Sequence, residues 1–415
     1  MRKFHLNKNL LLIFTVALCI RILFSLVYWV DKPITHDAEE YLLLADNLVA
    51  GKGYGYEVEP GEKTEHHERA PVYPLFLASI FFLFGKNLII VKIIQSIISA
   101  FFPLIMFSIT EKIFKRKAAV TAAWITAFYP PLFWGAAEFL SETLFTTIAM
   151  LGFLYLLRFE KDKKIVTLFI SVLWFIIAAH TKPVMLMGLP LIALWLWLRR
   201  FEKRMEGFKH AVLFSLAVIV LLMPWTVRNY IVEERFILIA SEGGITFWTG
   251  NHPLAVGDGD MAANPQLKLA NNELRKEYGY PPPAEMEEIY YRETFDFIKK
   301  HPFQFLWLLV KKGFYFWFPV GRSMALFSLK HQLVSHISYF PILLLAILAT
   351  VNLIRRKKLH FIPYISMLAG MISCVLFFPQ ERYRIPLVDP FLIVLAGYYI
   401  AEKYPKLREK FIRKK

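Results

Sequence analysis

Long apolar segments alternate with short polar ones along most of the chain, and this alternation predicts a bundle of membrane-spanning helices. A helix needs about 20 apolar residues to cross a hydrocarbon core of ~30 Å. Ten segments meet or approach that length, which places both termini on the same, cytoplasmic side of the membrane. The segments with two clear bounds are residues 10–30, 88–109, 118–135, 211–225, 334–354, 361–378 and 387–401.

Two apolar segments do not fit a crossing and are predicted to lie at the outer membrane interface. Residues 74–84 form a run of about 11 residues, which is too short to span, so they lie in the interface or re-enter. Residues 303–318 are apolar but contain Lys311 and Lys312, and two lysines at mid-depth would be costly. We therefore expect this segment to be an outer interfacial helix.

The polar stretch 228–302 predicts a small external subdomain. It starts strand-like at residues 236–240 and continues through glycine-rich turns to two amphipathic helices, 265–278 and 284–300. The predicted division of the chain has three parts. They are residues 1–225, an N-terminal transmembrane module that includes the first outer loop 31–87; residues 226–333, the external subdomain and interfacial helix; and residues 334–415, the C-terminal transmembrane helices with a basic cytoplasmic tail.

Composition supports a multi-pass protein of the cell membrane. Of the 415 residues, 56% are hydrophobic and 20% are charged, which excludes an ordinary soluble domain. The net charge of +16 does not indicate nucleic-acid binding, because the basic residues form short clusters between apolar runs, as the positive-inside rule requires. Cys19 and Cys374 both fall in apolar helices, so neither a disulfide framework nor thiol or zinc chemistry is expected.

With this topology, unusual ionisable residues gather at the outer ends of the helices. Acidic and basic groups at one membrane level suit a reaction with an anionic, lipid-borne substrate. The group comprises Asp37, Glu39, Glu40, Arg69, Glu138, Glu142, Lys182, Arg228, Arg382 and Arg384. For Glu39 and Glu40 an ordinary solvated charge is the favoured interpretation, and Arg382 and Arg384 fit headgroup anchors equally well. Asp37 is either a reactive carboxylate or the cap of a helix starting near Ala38.

Several motifs resemble those of GT-C glycosyltransferases, the polyprenyl-phosphate-sugar-dependent enzymes related to protein O-mannosyltransferases and aminoarabinose transferases. The stretches HDAEEY, LADNLVAGKGYGY and RAPVYPLFLA resemble the first outer loop of that family. AEFLSETLF, AAHTKPVMLMGLP, PWTVRNYIV, GGITFWTGN and QERYRIPLVDP follow in the family's order. Each motif is loose by itself, but their order and spacing extend the resemblance from the first predicted helix to the tenth.

The resemblance implies a fold, an activity and a set of site residues. The fold is an α-helical polytopic membrane protein, a GT-C-like bundle of about ten transmembrane helices with outer interfacial helices and a small external subdomain. The activity is transfer of a sugar from a polyprenyl-phosphate donor on the non-cytoplasmic side. The family's presumed catalytic base matches Asp37, and the basic residue that ends its first outer loop matches Arg69. Its second acidic residue matches Glu142, with Glu138 as a possible substitute.

Relatives often have arginine where this chain has Lys182. That exchange keeps the positive charge but loses bidentate recognition of a phosphate.

The chemistry of such a transfer requires the same residue types. A lipid phosphate leaves as a stable anion, so it needs cationic hydrogen-bond donors rather than a general acid. The candidates are Arg69, Lys182, Arg228, Arg382 and Arg384. The acceptor hydroxyl needs a base, worth roughly 10²–10⁴-fold in rate, and Asp37 is the hypothesis. Attack from the face opposite the phosphate inverts the anomeric centre.

No metal and no cofactor are predicted. Asp258-Gly259-Asp260 resembles the Asp-x-Asp of metal-dependent transferases, but its glycine-rich loop favours an ordinary turn. His66-His67-Glu68 is a weaker metal candidate, because adjacent side chains rarely converge on one ion. Arg21 lies inside the first helix, where a substrate role and a structural contact in the bundle weigh equally.

Two other functions compete with the enzyme. A transporter or flippase for a lipid-linked or anionic substrate should place broken helices and charges near mid-membrane, whereas here they lie at outer ends. A non-catalytic scaffold leaves the ordered outer charges unexplained. The expected partners are the polyprenyl-phosphate donor, membrane lipids and a glycolipid, polysaccharide or protein acceptor, with no nucleic acid. The sequence leaves the sugar open and leans towards a lipid or glycan acceptor.

Overall fold

A computed structural model describes residues 8–55, 69–199 and 204–412, and within these ranges the regular structure is entirely helical. Helix α1 continues into a π-helical turn, Phe24–Tyr28, and a 3₁₀ turn, Pro183–Met187, precedes α9. The helices are α1 (Lys8–Leu23), α2 (His36–Val49), α3 (Val72–Phe84), α4 (Leu88–Ile113), α5 (Arg116–Phe128), α6 (Pro130–Trp134), α7 (Glu142–Asp162), α8 (Ile165–Thr181), α9 (Gly188–Leu198), α10 (Arg204–Glu233), α11 (Gly243–Gly250), α12 (Pro265–Glu277), α13 (Pro283–Lys300), α14 (Pro302–Trp317), α15 (Arg322–Ala325), α16 (Leu329–Arg355), α17 (Ile362–Leu376), α18 (Glu381–Arg384) and α19 (Asp389–Ile412).

The described residues include five helices that are long and apolar enough to cross a membrane. They are α1 with its π-helical turn, α4, α7, α10 and α16. Four shorter apolar segments accompany them, namely α3, α8, α9 with its 3₁₀ turn, and α17. The predicted helical polytopic membrane fold is thereby confirmed.

Small residues and one buried arginine hold the first helices together. Helix α5 presents buried alanines to α4 and α19, and a Cβ on Gly397 would lie only 2.9 Å from Ala122, so these backbones approach closely. Arg21 Nε donates to Ser99 Oγ of α4 at 2.7 Å, and its Nη1 donates to the Ala127 carbonyl of α5 at 3.1 Å. Arg21 therefore makes the structural contact inside the bundle.

The segment after α10 is not the strand that the sequence suggested. Residues 236–240 bend back over α10. Their backbone carbonyls accept hydrogen bonds from side chains of that helix, not from a neighbouring strand. Trp225 Nε1 donates to the Ile239 carbonyl at 2.9 Å, and Asn229 Nδ2 donates to the Ile237 carbonyl at 3.1 Å. The β-branched, apolar composition matched a strand, but the hydrogen-bond partners come from a helix.

The two amphipathic helices expected outside the bundle are α12 and α13. Their buried residues Leu267, Met286, Ile289 and Tyr290 surround Trp248 of α11 in a small separate core. This core places α11 against the end of the bundle at which α17 ends. The three-part division of the chain remains a prediction.

A buried lysine of α14 joins this outer layer to α17. Lys312 is fully buried, and its Nζ donates to Asn251 Oδ1 at 2.6 Å and to the Leu376 carbonyl at 3.3 Å. Both acceptors lie at the C-terminal ends of helices, α11 and α17, where a positive charge is favoured. Lys312 therefore points into the protein instead of into lipid.

Candidate active site

The site starts at α2, where Asp37 occupies the first turn. Thr35 is the N-cap of this helix, and its Oγ1 accepts a hydrogen bond from Ala38 N at 3.4 Å. The alternative that Asp37 caps the helix is therefore wrong. The carboxylate of Asp37 points away from the helix backbone and towards two arginines.

Asp37 lies between Arg69 and Arg382, which come from opposite ends of the sequence. Arg69 Nη2 donates to Oδ1 at 2.9 Å, and Arg382 Nη1 donates to Oδ2 at 2.6 Å. Burial alone would raise the pKa of Asp37, but the charges of Arg382 and Arg69 outweigh burial and hold the pKa well below its usual range. Asp37 is therefore ionised and oriented by both of its oxygens.

Arg69 binds further carboxylates besides Asp37. Its Nε donates to Glu40 Oε2 at 2.6 Å, and its Nη1 lies 2.7 Å from Glu242 Oε1. Glu40 is buried, so its interpretation as a solvated charge is wrong: the burial is compensated by the ion pair with Arg69. Glu39, on the other face of α2, is exposed as expected.

A second ion pair stands beside the first. Lys182 follows α8 and Glu142 begins α7, and Lys182 Nζ donates to Glu142 Oε1 at 2.5 Å. The Tyr383 ring links the two pairs, because both the Lys182 ammonium and the Arg382 guanidinium lie 4.9 Å from its centroid. The start of α7 and the end of α8 thus meet the turn that carries Arg382.

The residues of these two ion pairs line a cavity of about 1600 Å³. Its floor holds the five predicted residues Asp37, Arg69, Glu142, Lys182 and Arg382. One wall is apolar and includes Val184, Leu186, Met187, Phe377 and Phe378. Residues between 235 and 246 and the start of α13 also line the cavity. Charged groups and an apolar wall in one cavity suit a ligand with a polar head and a greasy tail.

Three predicted substrate-binding residues do not line this cavity. Arg384 is buried and its Nε donates to Asp389 Oδ1 at 3.0 Å, so it fixes the start of α19. Arg228 lies with its guanidinium 5.0 Å from the Trp225 ring centroid and 5.7 Å from that of Tyr54. Arg384 is thus paired with a carboxylate, and Arg228 contacts aromatic rings. Sequence position alone does not reveal these partners.

Glu138 is the third of these residues and lies in the turn before α7, behind Glu142. Burial raises its pKa to about 7, and the nearby negative charge of Glu142 adds to the effect. Glu138 therefore titrates near neutral pH, whereas Asp37 stays ionised there.

Glu242 and Tyr383 line the cavity but were not among the site residues predicted from the sequence. Glu242 immediately precedes the GGITFWTGN motif, and Tyr383 stands between the two arginines of QERYRIP. The signal that could have found them was their position: Glu242 lies one residue before one recognised motif, and Tyr383 lies inside another.

No cluster of possible metal ligands was found among the described residues. Both aspartates accept backbone hydrogen bonds: Asp258 Oδ2 accepts from Ser323 N of α15 at 2.9 Å, and Asp260 Oδ1 accepts from Ala262 N of its own loop at 3.0 Å. This is the ordinary turn that the glycines favoured. His66, His67 and Glu68 lie outside the described residues.

Comparison with known proteins agrees with the fold. Residues 68–227 match the family described as dolichyl-phosphate-mannose-protein mannosyltransferase. No curated protein matches the whole sequence significantly.

Three solved structures give the extent of the likeness. The apo oligosaccharyltransferase of Archaeoglobus fulgidus is 12% identical with a TM-score of 0.59, covering 99% of this chain and 52% of that one. The same organism's AglB, in complex with an inhibitory peptide and a dolichol-phosphate, is 13% identical with a TM-score of 0.55, covering 97% and 52%. ArnT from Cupriavidus metallidurans, bound to undecaprenyl phosphate, is 13% identical with a TM-score of 0.44, covering 95% and 78%. The chain thus spans about half the length of the archaeal enzymes whose fold it has.

Proposed function

Because the chain has the GT-C fold and matches the mannosyltransferase family over residues 68–227, we propose that it is a membrane glycosyltransferase. It transfers a sugar from a polyprenyl-phosphate donor to an acceptor hydroxyl on the non-cytoplasmic side, with inversion. The name of the matched family and the dolichol-phosphate bound to the archaeal relative support this class of donor.

One observation carries the proposal. A paired carboxylate, Asp37, and two cations, Lys182 and Arg382, face one cavity that also has an apolar wall. The donor would lay its first isoprene units on that wall and its phosphate on the cations. Asp37 then faces the anomeric carbon from the side opposite the leaving phosphate.

In this arrangement each group has a defined task. Lys182 and Arg382 donate hydrogen bonds to the phosphate oxygens and stabilise the charge that grows as the glycosidic bond breaks. Asp37 accepts the proton of the acceptor hydroxyl as the new bond forms. The phosphate needs no added proton to leave, so a general acid is not required.

The low pKa of Asp37 in the ligand-free protein fits this cycle. A base held by two arginines is weak, because its charge is already stabilised. When the donor phosphate draws Arg382 to itself, Asp37 loses one of its two cations and becomes more basic. Donor binding thereby prepares the base for the acceptor.

The positive-inside rule supports an outer location. Glu142 begins α7 and Lys182 follows the end of α8. At the opposite ends of these helices, Lys161 lies in the last turn of α7, and Lys163 and Lys164 form the connection. The end of α16 carries the RRKK cluster at residues 355–358, and α17 runs from there towards Arg382. The basic ends are the cytoplasmic ones, so the site faces outwards.

The test uses the purified chain in proteoliposomes with a labelled polyprenyl-phosphate mannose and a panel of glycolipid, oligosaccharide and peptide acceptors. The enzyme would place label on an acceptor, with an anomeric configuration opposite to that of the donor. A transporter or flippase, the competing function, would move the label across the bilayer with the sugar–phosphate bond intact. That second result would refute the proposal.

A further inference from the structure

We propose that Glu242 is a positioning residue of this centre, which holds the Arg69 guanidinium against the two carboxylates of α2. Arg69 then orients Asp37, and the donor phosphate is left to Arg382 and Lys182. This inference rests on the proposed function and assigns Arg69 a different task from the phosphate contact that the sequence suggested.

The Arg69 guanidinium already contacts a carboxylate on each of its sides. Each of its three nitrogens faces a carboxylate: Nε that of Glu40 at 2.6 Å, Nη2 that of Asp37 at 2.9 Å and Nη1 that of Glu242 at 2.7 Å. A phosphate arriving at Arg69 would compete with three carboxylates for one guanidinium, which is costly in a partly buried site, whereas at Arg382 it competes with the single carboxylate of Asp37. Arg69 is therefore a poor phosphate ligand and a good anchor.

Lys182 differs from Arg69 in the number of carboxylates that it contacts. Its ammonium has three donors, and Glu142 is its carboxylate partner among the described residues. It faces the same cavity as Arg69. A phosphate can add to Lys182 without displacing Glu142, so the two cations differ in what they can receive.

Glu242 is held in position by contacts between α11 and α17. It immediately precedes α11, and the far end of that helix is fixed to α17. A Cβ on Gly250 would lie 1.8 Å from the Phe377 carbonyl oxygen, so the two backbones are in direct contact. Lys312 ties Asn251 and the Leu376 carbonyl together at the same point. The position of Glu242 is thus set by the bundle and not by α2.

Together these contacts hold the catalytic carboxylate from two directions. Helix α2 supplies Asp37 and Glu40, while Glu242, the residue before α11, supplies the carboxylate that keeps Arg69 from rotating away from them. Without Glu242, Arg69 would have one side open to the cavity. Asp37 would lose its fixed orientation and would also feel a less neutralised cation, which weakens it as a base.

The test is Glu242→Gln in the full chain, which keeps the shape and removes the charge. We expect kcat to fall by about tenfold while the KM for the donor stays within about twofold, because the lost group acts on the base and not on the phosphate. Glu242→Asp, which keeps the charge, should restore kcat to within about threefold of wild type. The control is Glu39→Gln on the exposed face of α2, with unchanged kcat and KM.

A donor KM that rises with kcat unchanged would overturn the inference, since Arg69 and Glu242 would then serve donor binding. Wild-type kcat in Glu242→Gln would overturn it as well.

A stability cycle decides the pairing without activity. With Arg69 present, Glu242→Gln should lower the melting temperature. In the Arg69→Gln background that loss should shrink, because the Arg69 charge that Glu242 contacts is then absent. Additive effects in an active protein would overturn the positioning role alone. A coupled cycle in a chain that transfers no sugar would overturn the proposed function alone.

Discussion

Glu39 and Glu40 are neighbours in the sequence, yet only Glu40 joins the ion-pair cluster. On a helix, residues three and four apart share a face, so Asp37, Glu40 and Tyr41 point together towards Arg69 while Glu39 points to solvent. This spacing was readable from the sequence. The identity of the partner was not, because Arg69 reaches back from the far end of the loop and Arg382 is 345 residues away from Asp37.

Glu138 provides a residue-scale prediction about pH. Burial raises its pKa to about 7 from the usual 4.5, so the folded chain holds a proton that the unfolded chain has released. Stability should therefore fall as the pH rises from about 5 to 7. Glu138→Gln cannot titrate, so the melting temperature of the variant minus that of wild type should increase across this window.

The measurement is thermal denaturation in detergent at a series of pH values, with Glu39→Gln as a matched control that should follow wild type. Parallel curves for Glu138→Gln and wild type would show that Glu138 titrates at its ordinary pKa.

The helices themselves were largely predictable, and the exceptions share a physical cause. Helices α4, α13 and α17 begin within one residue of their predicted starts, because hydrophobic runs and prolines mark them locally. Residues 236–240 were mistaken for a strand, since Trp225 and Asn229 satisfy their carbonyls from a helix. Local sequence does not say where hydrogen-bond partners come from.

Helix α14 shows the same limit. Its lysines led to the prediction of an interfacial helix, which stays a prediction, and the burial of Lys312 against Asn251 depends on a residue 61 positions away. A pattern of charges along one helix cannot reveal such a partner.

The contact between α11 and α17 gives an element-scale prediction. Gly250→Ala would place a methyl group 1.8 Å from the Phe377 carbonyl oxygen, and a backbone atom cannot step aside as a flexible side chain can. We expect a loss of about 1–3 kcal/mol of stability, as for other overpacked contacts. The transfer rate should fall too, because Glu242 and the outer wall of the cavity move with α11.

Gly313→Ala on α14 is the matched control. No atom lies within 4 Å of the Cβ it would add, so it should be neutral or slightly stabilising, as alanine is in a helix interior. Equal melting temperatures for the two variants would mean that α11 and α17 are not in contact.

At the scale of the whole molecule, charge is distributed by side. Basic clusters lie at one set of helix ends, and the cavity with its paired acids and bases lies at the other. The apolar lengths and basic clusters were enough to predict this polarity. The same patterns did not distinguish the roles of Arg382 and Arg384, which are two residues apart. Arg382 faces Asp37, whereas Arg384 is buried and paired with Asp389. That choice depends on how the short helix α18 is turned.

The central claim is that Asp37 is the base of a sugar transfer in the outer cavity. The most direct measurement is transfer of labelled sugar from a polyprenyl-phosphate donor by wild type, Asp37→Asn and Glu39→Gln, each shown to be monodisperse in detergent. We expect wild type and Glu39→Gln to transfer sugar equally, and Asp37→Asn to be at least about 10²-fold slower. Transfer by Asp37→Asn at the wild-type rate would contradict it.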